Sequence, residues 1–189
     1  MIAVANRFHS KTASLLVAAT VMAVAPAQLA FAESRGDLQA DARAAVASLY
    51  TQVPGAKALG EQAAAILVFP AVVKASFIVG GQYGEGVLLQ GGKIDGYYNT
   101  ITGSVGYQAG VEKFSYALFL MNPSALKYLN KSDGWELGVG PEITLVDVGA
   151  AASLSTTTAK KSVYAFFFDP KGLMGGVSIQ GTKVTKIHK

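Results

Sequence analysis

The sequence predicts an α+β fold: a strongly curved, mostly antiparallel, glycine-rich and barrel-like sheet with two N-terminal helices and one short internal helix. Three observations lead there. Apolar residues recur at helical spacing between residues 33 and 65, then alternate with polar or small residues from Phe77 onward. Asn122-Pro123 interrupts the alternation with a pair that suits the opening of a helix. The 21 glycines fall repeatedly within the alternating segments, where they mark bulges, tight bends or close backbone approach. A sheet with that many bends is curved.

The first 32 residues read as a secretory signal that is cleaved. Arg7 and Lys11 give a basic start, Thr12 to Ala25 is an apolar run, and Ala30-Phe31-Ala32 is an A-x-A cleavage site. The run is short of the roughly 20 apolar residues that a membrane span needs. Residues 33–189 remain as a single domain, long enough to bury a core. Leu38, Ala42, Ala45, Val46, Leu49 and Val53 then form one helical stripe, with Asp37 as its N-cap. Pro54-Gly55 ends that helix, and a second short one is expected over Ala56 to Ala65. Alanine makes both stripes thin, which suits packing on a sheet.

Three alternating segments follow. Phe77, Val79, Tyr83, Val87 and Leu89 mark the first, Tyr97, Ile101, Val105 and Tyr107 the second, and Trp135, Leu137, Val139, Ile143 and Leu145 the third. One apolar and one polar face in each indicates half-buried antiparallel sheet. Between them, Asn122 caps a helix whose small apolar face is Leu126 and Leu129. Val163 to Phe168 is continuously apolar, as expected of a strand covered on both faces, and a final hairpin is expected over Leu173 to Ile187, turning near Gln180-Gly181.

Cleavage removes Arg7 and Lys11, so the 16 basic residues become 14 against 12 acidic, a net charge of about +2. That is not a nucleic-acid footprint, which concentrates positive charge on one face. Lys183, Lys186, His188 and Lys189 cluster at the end and read as a solvated tail. The chain has no cysteine, so no disulfide framework holds an exported domain and no lipidation cysteine follows the signal. A soluble periplasmic location is the expectation.

Catalytic chemistry finds little support. His188 is the one histidine after the signal, which argues against a serine–histidine–acid triad or a histidine-rich metal site. Glu85, Asp95, Glu136, Glu142 and Asp147 are the carboxylates within the predicted sheet, and they read as polar strand residues facing water. Ser124-Ala-Leu-Lys127 matches an S-x-x-K nucleophile pattern, but its supporting S-D-N and K-T-G elements are missing. The glycines from Gly80 to Gly86 alternate within a strand rather than leading into a helix, and Glu85 would repel phosphate. No metal and no cofactor is expected.

Membrane attachment has more. Lys57, Lys74, Lys93, Lys127 and Lys131 fall at element ends or turns, where several can gather at one rim of the sheet. Phe69, Phe77, Tyr97, Tyr98 and Tyr128 lie near them in sequence and can supply aromatic interfacial contacts. On the other reading, the lysines keep the domain soluble and the aromatics form its core.

Three blocks carry a family resemblance: Ile66 to Asn99, Phe119 to Gly140 and Phe166 to Ile187. Their content and order resemble the SYLF domain, over roughly Asp37 to Lys189. The resemblance implies a lipid-binding module. Eukaryotic members bind phosphoinositides and some bind actin, an activity not carried over to a periplasmic chain. Their N-terminal helix assists membrane contact; here the matching helix has Asp37 and Asp41 against Arg43, so the sheet rim around Lys74 and Lys93 is the better candidate. The expected function is non-catalytic, peripheral binding of anionic phospholipid surfaces. The alternatives are an envelope scaffold with a protein partner and a small outer-membrane β-barrel.

Overall fold

Ser34 opens the first helix. Its backbone is extended, and its Oγ accepts the backbone N–H of Asp37 at 3.2 Å. The N-cap is therefore Ser34 rather than Asp37, which falls in the first turn, where a negative charge suits the helix dipole. The computed structural model describes residues 33–76, 79–105, 110–131, 134–146, 161–172 and 181–189. Helix α1 runs Arg35–Gln52 and buries Leu38, Ala42, Ala45 and Leu49, the stripe its spacing predicts. Helix α2, Ala56–Gln62, stops short of its expected end because Ala65 already begins a strand.

Eight strands are described: β1 Ala65–Ser76, β2 Val79–Gln90, β3 Lys93–Val105, β4 Gly110–Leu120, β5 Trp135–Glu136, β6 Ile143–Val146, β7 Val163–Gly172 and β8 Lys183–Ile187. They form one sheet in the order β5-β8-β3-β2-β1-β4-β7-β6. Every pairing is antiparallel except β6 with β7. Helix α3, Pro123–Leu129, starts as its sequence predicts, with the Asn122 side chain accepting the N–H of Ala125 at 2.9 Å.

The expected strand from Trp135 to Leu145 is divided. Its two ends, β5 and β6, lie at opposite edges of the sheet, and Gly138 and Gly140 between them have φ of +102° and +106°. This division requires the curl. Seven strand spacings would put the edges of a flat sheet about 34 Å apart. The segment from Glu136 to Ile143 can span only about 25 Å when fully extended. The sheet is accordingly curled into a half-barrel, and the 137–142 segment crosses its open side. Of the expected final hairpin, residues 173–180 lie outside the described residues; the other arm is β8, held between β3 and β5.

Both faces of the sheet carry a core. The concave side gathers Leu67, Phe69, Leu88, Tyr98, Phe114, Tyr116, Leu118, Trp135 and Val184, with Ala125 and Leu129 of α3. The Phe69 and Tyr116 rings stack at 4.6 Å, and Tyr116 stacks on Phe167 at 5.5 Å. The convex side gathers Ile66, Val68, Val87, Phe119, Tyr164 and Phe166 under α1 and α2. Asp169, at φ +52°, docks α1 further, accepting from Ser48 Oγ at 3.1 Å and Gln52 Nε2 at 2.6 Å.

Two glycines account for the fit of β2 against β1. A Cβ on Gly86 would stand 2.5 Å from the Phe69 ring, and one on Gly84 would stand 2.7 Å from Val72 Cγ2. The small face of β2 is thus filled from the neighbouring strand. Phe69 and Val72 can both point inward because β1 bulges at Pro70, where the register shifts against β2 and β4. A bulge is where a central strand tolerates proline, which has no N–H to donate.

Candidate functional site

Among the described residues, α1 and α2 cover only the part of the convex face where β1 begins. Beyond the Pro70 bulge, Val72 is buried inward, so Ala71, Val73 and Ala75 face outward from the uncovered sheet. Val73 pairs directly with Tyr83, and Tyr83 pairs with Ile101. These three side chains are 44%, 43% and 49% exposed. The pairing continues on both sides: Val73 with Lys113 and Lys113 with Lys171 in one direction, Ile101 with Lys183 and Lys183 with Glu136 in the other. The result is one exposed row across the sheet, apolar in the middle, with Lys113 and Lys171 at one border and Lys183 beside the exposed Glu136 at the other. In the next row, Val111, Ala75, Gly81 and Gly103 are neighbours, all exposed, with Val111 at 62%.

Between this face and the helices lies a polar seam. The Tyr83 hydroxyl donates to Glu85 Oε1 at 3.1 Å; burial, and then the Glu85 charge, raises the Tyr83 pKa. Lys189 Nζ stands 2.5 Å from Glu85 Oε2 and donates to the Glu33 carbonyl at 2.5 Å. Burial and Asp41 raise the Glu33 carboxyl pKa, against an opposing pull from Lys189. The expected solvated tail is therefore corrected: Lys183 and Lys186 belong to β8, and Lys189 is an anchor whose side chain is only 10% exposed.

The predicted lysines are dispersed. Lys93 is exposed at the β2–β3 turn, and Lys127 and Lys131 are exposed at α3, all at the end of the sheet where β1 begins. Lys131 Nζ lies 3.8 Å from the centre of the Tyr128 ring. Lys57 is exposed on α2. Lys74 is half-buried on the concave side, paired in register with Gln82 and Glu112. Gln82 and Gln90, the partner of Lys93, are eight residues apart along β2, about 27 Å. The structure thus does not gather Lys74 and Lys93 at one rim.

The predicted aromatics divide too. Phe77 lies outside the described residues. Tyr97 is half-buried, its hydroxyl accepting from Gln39 Nε2 at 2.5 Å. Tyr98 and Phe69 are core residues with no exposed surface. Tyr98 donates to Asn130 Oδ1 at 2.8 Å, and burial, with Asp95 adding to it, pushes its pKa up to about 12.

Among the carboxylates, Glu142 pairs with Lys161 at 2.6 Å, Glu136 and Asp95 are exposed, and Asp147 lies outside the described residues. Glu112, which sequence reasoning passed over, is only 4% exposed on the concave side. Ser124 and Lys127 are both exposed on α3. Among the described residues, no group of His, Cys, Asp and Glu side chains is placed to hold a metal ion, and no helix is long and apolar enough to cross a membrane.

Fold and face together define a small α+β half-barrel module with an exposed, lysine-bordered apolar row on its convex side. Residues 101–189, a little under half of the chain, match the family described as Ysc84, Las17-binding protein actin regulator, so this part of the chain is similar to the SYLF family. The matched span takes in Ile101, Lys113, Lys171 and Lys183, but not Val73 or Tyr83. A comparison with curated proteins gives no match.

Proposed function

We propose that the protein is an exported, non-catalytic module that docks peripherally on anionic phospholipid surfaces through the face centred on Val73, Tyr83 and Ile101. The observation that carries this reading is the row itself. Stable peripheral attachment takes two cooperating signals, and this face offers both apolar contact and basic charge. Each lysine near an anionic leaflet contributes about 1 kcal/mol, and Tyr83 can place its ring at the headgroup level while its hydroxyl stays hydrogen-bonded to Glu85. A second copy of the chain suits the face less well, because an isologous contact would bring lysine borders together. The basic start, apolar run and A-x-A pattern within residues 1–32 support an exported setting.

The family description favours a second reading, a protein partner. Co-sedimentation with vesicles separates the two. The lipid reading expects the protein to pellet with anionic but not neutral vesicles, and to be released by salt as the screening length falls from about 30 Å at 0.01 M to about 3 Å at 1 M. A folded protein that stays in the supernatant with both vesicles would move the assignment to a protein partner.

A further inference from the structure

We infer that Lys189 makes this face compatible with an anionic surface by neutralising Glu85 at its margin, an inference that rests on the lipid reading above. Glu85 lies two residues from Tyr83 on the same face of β2, about 7 Å along the strand. A bare carboxylate there would oppose the phosphates that the bordering lysines attract. Lys189 Nζ stands 2.5 Å from one carboxylate oxygen, and the two side chains are 10% and 12% exposed. Salt screens such a partly buried pair weakly. Tyr83 donates to the other carboxylate oxygen, and the Glu33 carbonyl accepts from the same lysine, so Glu85 and Lys189 are both held from a second side. The pair is therefore a positioning and charge-cancelling device for the face rather than a headgroup ligand.

The test uses Lys189→Gln, Glu85→Gln and the double variant, with Lys127→Gln on α3 as an equal charge change elsewhere. All are co-sedimented with phosphatidylglycerol–phosphatidylcholine vesicles at low salt. Lys189→Gln should weaken binding about fivefold and Lys127→Gln by less than about twofold, the first being close to the lipid surface and the second remote from it. Glu85→Gln should tighten binding, and the double variant should return to within about twofold of the unsubstituted protein. A structural role alone would make both single variants bind less. If Lys189→Gln does not fold, Glu85→Gln decides: tighter binding supports the inference, and unchanged or weaker binding overturns it. Unsubstituted protein that ignores the vesicles would sink the lipid reading itself. Binding by that protein with Lys189→Gln equal to Lys127→Gln would overturn only this inference.

Discussion

Charge reversal at the two borders of the exposed row, Lys113→Glu, Lys171→Glu and Lys183→Glu together, is expected to weaken binding to anionic vesicles by at least about 100-fold. Three lysines at about 1 kcal/mol each contribute about 3 kcal/mol, and each 1.4 kcal/mol is a factor of ten. The introduced carboxylates add repulsion to that loss. All three positions are exposed, so folding should survive, as circular dichroism will show. The matched comparison is Lys93→Glu, Lys127→Glu and Lys131→Glu at the end of the sheet where β1 begins. That variant should lose less than about tenfold, because its charges reach the bilayer only through long-range attraction. Equal losses in the two triple variants would mean that net charge, not this face, governs attachment.

Trp135→Ala is expected to cost about 4 kcal/mol of folding stability, within the 3–5 kcal/mol typical of removing a buried large aromatic. Trp135 has no exposed surface, and its Nε1 donates to the Val139 carbonyl at 3.0 Å. Its ring meets Tyr128 edge-on at 6.0 Å, while Tyr128 itself packs against the bare backbone of Gly140. The residue thus ties the crossing segment and α3 to the concave core. Domains of this size are stable by about 5–15 kcal/mol, so the variant should lie near the edge of folding. Urea unfolding followed by circular dichroism measures this, since the substitution removes the one tryptophan of the chain. A loss below about 1 kcal/mol would contradict the closed, packed concave side.

Much of the fold was legible in local signals. The stripe Leu38, Ala42, Ala45 and Leu49 identified α1, Asn122-Pro123 identified α3, and the continuous run from Val163 identified a strand covered on both faces. What alternation could not tell was which face of each strand is covered. Tyr83 and Ile101 fall on the apolar side of their alternating segments and are exposed, whereas Gln82 and Thr100 fall on the polar side and are buried. The reason lies in another strand. β1 fills the glycine face of β2 with Phe69 and Val72, and the Pro70 bulge then sends Val73 outward, a phase change that no period of two reveals. The separation of β5 from β6 was hidden as well, because the apolar spacing runs on through Gly138 and Gly140 while the backbone turns.

The candidate site was less legible than the fold. Lys113, Lys171 and Lys183 are far apart in sequence and meet Val73, Tyr83 and Ile101 only through strand pairing. Sequence reasoning favoured lysines at turns because turns are exposed. It passed over lysines within strands, whose exposure depends on where the helix layer stops. Tyr98 illustrates the reverse error: it adjoins a glycine-rich turn in sequence, yet its neighbours in space are α3 and the aromatic interior.

The absence of cysteine provides the most direct test of the central claim, because a single introduced thiol can carry an environment-sensitive fluorophore. A Cβ at Gly103 meets no atom within 4 Å, so Gly103→Cys can be labelled at the exposed face without displacing a neighbour. Lys127→Cys supplies a label on α3, which packs on the concave side. On adding anionic vesicles, the emission of the Gly103 label should shift to the blue and brighten, as expected in an apolar interface, while that of the Lys127 label should stay as in water. A blue shift at Lys127 with none at Gly103 would contradict the assignment and place the membrane against the opposite side of the sheet.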